Sequence, residues 1–343
     1  MAHSVSFPDE QIEMAHGAGG NASRRLVEDL IVPLFDNPTL RSLGDAATVD
    51  ANGTALAVTT DSFVVHPLQF PGGSIGKLAV NGTLNDLAVG GARPLALTAA
   101  FVVEAGLPTA ALRAEIEAMA HAADAAGVPI VSGDTKVVEH GKADGLYVNT
   151  TGIGLRYDDV TLGADRVQPG DQILLSGPIG DHGITILLAR GDLALSANLQ
   201  TDSRAVGPLI DALVDAVAPS VRWLRDPTRG GVASALNELA RDASCAAVAT
   251  EADLPVREPV RGACEILGLD PLYIANEGQC IAVVAPEAVD AALEALHAVP
   301  GGEAACRIGE IRETPKRRFL TENAYGSSRV VDLLTGDPLP RIC

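Results

Sequence analysis

The sequence predicts an α/β protein built as two domains, and three observations carry that expectation. The chain has 343 residues, room for two domains of ordinary size. Short β-branched runs alternate with helical ones along it. The filling is Ala, Val, Leu and Gly: hydrophobic residues make up 47% and aromatics only 3%. That mix suits close-packed layers of helix on sheet.

The elements follow in order. A helical stretch, Ser23–Leu30, comes after a glycine-rich segment, Gly17–Ala22. Ala55–Thr60, Leu95–Val103, Val128–Val131 and Leu146–Gly152 are short, apolar and partly β-branched, so they read as strands. Thr109–Ala126 reads as a helix. Pro108 and Thr109 start it, Leu112, Ile116, Met119 and Ala123 recur at helical spacing, and Gly127 stops it. Gln168-Pro169-Gly170-Asp171 is a turn signal before a strand at Gln172–Ser176. Val206–Val217, Gly231–Arg241 and Pro286–Ala298 read as helices, and Ala246–Thr250, Cys280–Ala285 and Cys306–Arg312 as strands. A boundary is expected between residues 156 and 168, with an N-terminal domain over 1–160, a C-terminal domain over 165–335 and a tail over 336–343.

Composition excludes several functions. The formal charge is −19, from 44 acidic and 25 basic residues. Such a surface repels nucleic acid and anionic membranes. The one short basic cluster, Lys316-Arg317-Arg318, reads as a solvated turn. The five cysteines are odd in number and none has C-x-x-C spacing, so neither a disulfide framework nor a zinc site is indicated. Cys245, Cys264 and Cys280 lie in apolar stretches and read as core. Met1–Glu10 is polar, no secretory leader is expected, and no run of about twenty apolar residues suggests a membrane span. A reducing cytoplasm is the expected location.

Cys343 is the last residue of the sequence, after Pro338-Leu339-Pro340-Arg341-Ile342. The prolines stiffen the approach and oppose helix or sheet-interior pairing. The thiol therefore reads as a reactive group on a short arm, against the alternative of a frayed tail. The sulfur also lies beside its own α-carboxylate, a like charge for a thiolate, which Arg341 is expected to offset.

The strongest pattern is a set of acids beside glycine, asparagine or threonine at the ends of expected strands. They are Gly44-Asp45, Thr59-Thr60-Asp61-Ser62, Asn85-Asp86, Ser132-Gly133-Asp134-Thr135-Lys136 and Asp226-Pro227-Thr228-Arg229-Gly230-Gly231. Carboxylates suit Mg²⁺, and N–H groups freed by small residues suit phosphate, so the set reads as a Mg-nucleotide site. Lys136 would add charge on a phosphate or reacting oxygen. Gly72–Leu78 fails as a P-loop: its spacing is one residue short and Leu78 stands in the Ser/Thr position. Gly17–Ala22 fits G-x-G-x-x-A but follows no central strand, so a mobile glycine loop is the better reading. His16 precedes that loop and is either a phosphate contact or a surface histidine. Glu277, in Asn276-Glu277-Gly278, is either a general base or a turn acid.

These motifs together resemble the HypE family of hydrogenase maturation factors, within the wider superfamily of aminoimidazole ribonucleotide synthetase and selenophosphate synthetase. The matching pieces include Ala15–Gly20, Thr60-Asp61-Ser62, Phe70–Leu78, Gly82–Asp86, Gly133–Val138, Gly180-Asp181-His182-Gly183, Asp226–Gly231, Ala275–Gly278 and the terminal Pro340-Arg341-Ile342-Cys343. They run in order over nearly the whole chain, and the terminal Pro-Arg-Ile-Cys separates this family from its superfamily relatives.

The resemblance implies a PurM-like architecture: an N-terminal ATP-binding domain that pairs with a second copy in a β-barrel-like interface, a C-terminal α+β layer and a flexible tail. It implies an ATP-dependent carbamoyl dehydratase. Cys343 would receive a carbamoyl group from the carbamoyltransferase HypF, ATP would activate its oxygen, and loss of that oxygen would leave a thiocyanate. The cyanide would pass to iron on a HypC–HypD scaffold for the [NiFe]-hydrogenase centre. Catalysis would fall to Cys343, Lys136 and Glu277. Nucleotide would meet His16, Gly19, Gly20, Asn85, Gly133, Asp134, Thr135 and Lys136, and Mg²⁺ would meet Asp45, Asp61, Asp86 and Asp226. The alternatives are a non-catalytic ATP-binding scaffold and another synthetase of the superfamily. His16–Asn21 holds no cysteine, which argues against a selenophosphate synthetase.

Overall fold

The structure is a computed structural model that describes residues 7–35, 37–191, 195–334, 336 and 339–343. Met1–Ser6 and Pro338 of the expected arm lie outside the described residues.

The described chain opens with a one-turn 3₁₀ helix at Met14–Gly17. A helix follows in three pieces: α1 (Asn21–Arg25), a π-turn over Leu26–Ile31, and α2 (Val32–Phe35). The first sheet is built from β1 (Ala47–Ala51), β2 (Thr54–Phe63), β5 (Ala92–Glu104), β6 (Ile130–Val138) and β7 (Leu146–Arg156). A two-residue ribbon, β3 (Gln69–Phe70) with β4 (Gly73–Ser74), leads into α3 (Ile75–Val89), and α4 (Thr109–Ala126) connects β5 to β6. The strand order is β1-β2-β7-β5-β6, with β5 and β6 parallel and the other neighbours antiparallel. α3 packs on β2, β7 and β5, and α4 packs on α3.

The second sheet has seven strands in the order β14-β13-β10-β12-β8-β11-β9. Its elements follow as β8 (Gln172–Leu175), α5 (Asp181–Ala189), α6 (Gly207–Val217), β9 (Val221–Arg225) and α7 (Gly231–Asp242). Then come β10 (Ala246–Thr250), α8 (Glu258–Leu267), β11 (Ile281–Val284), α9 (Val289–His297), β12 (Cys306–Arg312), β13 (Arg318–Glu322) and β14 (Ser328–Val331). α6 and α9 pack together over one apolar cluster, and α7 lies in another with the buried faces of β10 and β12. No described helix is long and apolar enough to cross a membrane.

Two expectations fail in ways that matter for the site. Asn85-Asp86 is not at a strand end; it lies within α3, whose Gly82, Thr83, Leu84 and Asn85 are all buried. That helix is buried nearly all round, its polar residues included, so no exposed polar stripe marks it in the sequence periodicity. Ser132–Lys136 is not a loop beyond a short strand. β6 runs through it, and its residues are exposed along almost their whole length because β6 is the edge of its sheet.

Glu115 locks the start of α3. It is fully buried, and its Oε2 accepts the Gly76 N–H at 3.0 Å while Oε1 accepts from Gln69 at 3.1 Å. The carboxylate thereby meets a free N–H at the positive end of the helix dipole. Glu115→Ala should lower stability by about 2 kcal/mol, because it strands a buried donor and removes that charge. A urea midpoint unchanged from the parent protein would refute this.

Candidate active site

Residues 339–343 do not hang free. Leu339, Ile342 and Cys343 are buried in the same apolar cluster as Phe63, Leu78 and Ile184. The arm lies antiparallel to the segment after β2: the Val64 N–H donates to the Cys343 carbonyl at 3.1 Å and the His66 N–H to the Arg341 carbonyl at 3.2 Å. Pairing that the prolines were expected to prevent occurs through the carbonyls, which proline does not remove. Arg190 donates to the Pro340 carbonyl and, at 2.9 Å, to that of Arg341. His182 Nε2 donates to the Ile342 carbonyl at 2.7 Å. Its Nδ1 then accepts from Thr201 Oγ1 at 2.7 Å, and burial pushes the ring's pKa down to about 4, so it stays neutral.

The sulfur meets a cation that sequence reading did not assign to it. Arg229 Nε donates to Cys343 Sγ at 2.9 Å, Nη2 to the Cys343 carbonyl at 3.2 Å and Nη1 to the Gly17 carbonyl at 2.8 Å. Arg341 does not offset charge at the thiol; its side chain pairs with Asp144 instead. The only signal for Arg229 was its place in Asp226–Gly231, where Gly230 and Gly231 open α7. Burial pushes the Cys343 thiol up to about 12; Arg229 pulls it back, while Glu277 and Asp61 push it further up.

The glycine loop serves this arginine. Gly19 has φ +74°, and a Cβ there would stand 2.8 Å from the Arg229 carbonyl oxygen. Ser234 of α7 donates to the Gly19 carbonyl at 3.2 Å. A Cβ on Gly20 would stand 2.3 Å from the Leu334 carbonyl oxygen, so both glycines allow close backbone approach. His16 anchors the segment before them. Its Nε2 pairs with Asp9 at 2.9 Å and its Nδ1 accepts the Glu13 N–H at 3.0 Å, so both ring nitrogens are engaged within the chain.

Glu277 is buried at 3% exposure and its Oε1 has no hydrogen-bond partner among the described residues. Burial, then the charges of Asp226, Asp202 and Asp61, holds its carboxyl well above the usual range. Its backbone is pinned by two groups: its N–H donates to Asp202 at 3.1 Å, and Asn85 donates to its carbonyl at 3.1 Å. Asn85 also donates to the Arg204 carbonyl and accepts the Val206 N–H. That amide braces Glu277 from α3, with its hydrogen-bonding atoms committed to backbone.

Three of the four expected metal acids converge. Ligand oxygens of Asp45, Asp86 and Asp226 lie within 4.8 Å of one another. Thr59 orients Asp86 through a 2.9 Å hydrogen bond, and Arg225 pairs with Asp45 at 3.1 Å and with Glu238 at 3.0 Å. Burial and mutual repulsion hold Asp86 well above the ordinary carboxylate range and push Asp226 up to about 7. Asp61 adds its charge to both. Converging hard oxygens that repel one another are the donor set a Mg²⁺ ion fits.

Gly133, Asp134, Thr135 and Lys136 are not brought to this centre. Lys136 Nζ bonds Asp134 at 2.6 Å on the exposed edge strand. β6 lies three strands from β2, about 14 Å at the usual spacing, beyond the reach of one lysine side chain.

The docked thiol should be slow to react. Its raised pKa favours the protonated, docked arm: docking is complete below the free thiol's pKa of 9.0 and is lost as pH climbs toward about 12. Labelling of Cys343 by iodoacetamide, read by mass, should therefore accelerate above pH 9 more steeply than that of a free cysteine. Arg229→Met removes three charge-assisted bonds and should speed labelling at neutral pH by about tenfold or more. Unchanged labelling in that variant would contradict the arginine's hold on the arm.

The family described as AIR synthase related protein, N-terminal domain, matches residues 43–156, and its C-terminal domain matches residues 168–321. The chain is 50% identical over 342 residues to a carbamoyl dehydratase HypE from Rhodobacter capsulatus, covering 99% of this chain and 100% of that one. A solved HypE in complex with ATP superposes with a TM-score of 0.81 at 45% identity, covering 97% of this chain and 100% of that one. A chain of a solved HypE–HypF complex superposes with a TM-score of 0.85 at 42% identity, covering 90% of this chain and 99% of that one. The motifs, the two-sheet fold and these likenesses agree: the chain belongs to the carbamoyl dehydratase HypE family.

Proposed function

We propose that this protein dehydrates a carbamoyl group on its own Cys343 to a thiocyanate, at the expense of ATP, in hydrogenase maturation. The observation that carries this reading is the arm itself. Arg229 holds the sulfur inside the protein, where the charges of Glu277 and Asp61 act on it.

The related structure in complex with ATP and the related HypE–HypF complex support ATP as co-substrate and HypF as carbamoyl donor. Asp45, Asp86 and Asp226 would hold Mg²⁺, which supplies charge neutralisation at the phosphates. The carbamoyl oxygen is a poor leaving group until phosphorylated. Glu277, buried and with a raised pKa, is the base for the carbamoyl N–H protons. Arg229 keeps the sulfur still while they leave. HypC–HypD would accept the cyanide.

Lys136 enters from a second copy. β6 is an unpaired edge with Val131 at 63% and Val137 at 68% exposure, a surface that invites pairing between protomers. In such a homodimer Lys136 and Asp134 of one copy would reach the nucleotide of the other. Five free cysteines suit a reducing cytoplasm.

Intact-mass spectrometry tests the reading. With HypF and carbamoyl phosphate, Cys343 should gain a carbamoyl group that loses one water only when MgATP is added. Cys343→Ala should bind ATP and take no label. Glu277→Gln should be carbamoylated and dehydrate roughly 10²-fold or more slowly. Label on another residue, or dehydration without MgATP, would overturn the reading.

A further inference from the structure

Protons removed from a carbamoyl nitrogen must leave a buried site, and a row of enclosed oxygen atoms marks a way out. Glu277 Oε1, Asp202 Oδ2, Asp181 Oδ1 and Thr185 Oγ1 are each enclosed with no hydrogen-bond partner among the described residues. An oxygen left so costs about 1–3 kcal/mol unless water reaches it, and sites with several such groups are where buried water gathers. Asp202 Oδ1 accepts the Glu277 N–H at 3.1 Å, and the charge of Asp202 acts on the Glu277 carboxyl. Asp202 in turn acts on Asp181, the first residue of α5, and Thr185 follows one turn later on the same face. At the outer end, Asp181 Oδ2 faces Arg257 at 3.3 Å, and that arginine is 58% exposed.

We propose that Asp202, with Asp181 beyond it, is the proton outlet of the site: of the two protons that leave the S-carbamoyl nitrogen, it takes from Glu277 the one bound for solvent and passes it toward the Arg257 surface. The proposal rests on the reading above, in which Glu277 is the base. The balance is explicit. Transfer of the γ-phosphoryl group to the carbamoyl oxygen leaves ADP, and one N–H proton departs as the C–N bond becomes double. The C–O bond then breaks with its electron pair leaving on phosphate, the second N–H proton departs, and the C–N bond becomes triple. Of the two protons, one ends on the released phosphate and one in solvent. A single buried carboxylate cannot take both without being emptied between them, which is the task of Asp202.

The surroundings suit a relay. Burial raises both Asp202 and Asp181 to about 6; for Asp202 the Glu277 and Gly278 N–H groups and Arg204 oppose it, and for Asp181 Arg257 does. Carboxyls near neutrality take up and release protons readily. Asp202 as a whole is only partly buried although its Oδ2 is enclosed, so a proton reaching it is close to water. Neither acid belongs to the group formed by Asp45, Asp86 and Asp226.

Asp202→Asn keeps an oxygen to accept the Glu277 N–H but cannot carry a proton. In the full-length protein, carbamoylated on Cys343 and mixed with MgATP, single-turnover thiocyanate formation should slow about a hundredfold. ATP affinity and melting temperature should stay those of the parent. Added formate, a small proton carrier, should restore much of the rate, and Asp181→Asn should show a smaller loss with the same rescue. An Asp202→Asn protein that dehydrates at the parental rate overturns the outlet. So does one that is slow and not rescued, since a mere brace for the turn at Glu277 would behave that way. Glu277→Gln run alongside separates the two ideas. If it stalls while Asp202→Asn does not slow, only the outlet fails; if it dehydrates normally, the choice of base fails and the outlet with it.

Discussion

The site depends on main-chain carbonyls of the last residues finding donors across the fold. The carbonyls of Pro340, Arg341, Ile342 and Cys343 each accept a hydrogen bond, from Arg190, His66, His182, Val64 or Arg229. Burial would be prohibitive for a five-residue segment whose carbonyls were left bare. Because recognition is by backbone, it sets position along the arm more than side-chain identity. Ile342 and Leu339 add apolar contact, and the sulfur then arrives at Arg229 by register. Arg341 adopts φ 58°, a left-handed turn unusual for a side-chain-bearing residue, and its side chain pairs with Asp144.

Charge is the second constraint. Asp45, Asp61, Asp86, Asp226 and Glu277 crowd a region in which Arg225 and Arg229 are the nearby cations named by their electrostatics. Such crowding costs folding energy and is kept where a cation or a proton transfer needs it. The two arginines divide the work: Arg225 sits with Asp45 at the metal acids, and Arg229 sits with the thiol. In the proposed reaction one end of the site would take phosphate and metal, and the other the sulfur.

Candidate acids were easier to name from the sequence than to place in space. The helix Thr109–Ala126, with Gly127 as its left-handed stop, was legible because one face is apolar and the other is not. α3 was hidden because it is buried on nearly every side, and so Asp86 and Asn85 were assigned to a strand end. The acids at Asp45, Asp86 and Asp226 could be named from their neighbours, yet only the fold brings them within 4.8 Å. Lys136 and Cys343 share a motif list but lie far apart within one chain, since strand order is not written in local sequence. Arg229, His182 and Arg190 were invisible as arm contacts, because backbone carbonyls leave no pattern of side chains to match.

Hydrogen exchange at the Val64 and His66 amides tests the central claim most directly. In the intact protein both amides should be protected, because the arm carbonyls of Cys343 and Arg341 accept their protons. In a chain shortened to remove residues 339–343 both should exchange far faster, while the amides inside β2 keep their protection. Equal protection of Val64 and His66 with and without the arm would contradict the docked site from which the chemistry is argued.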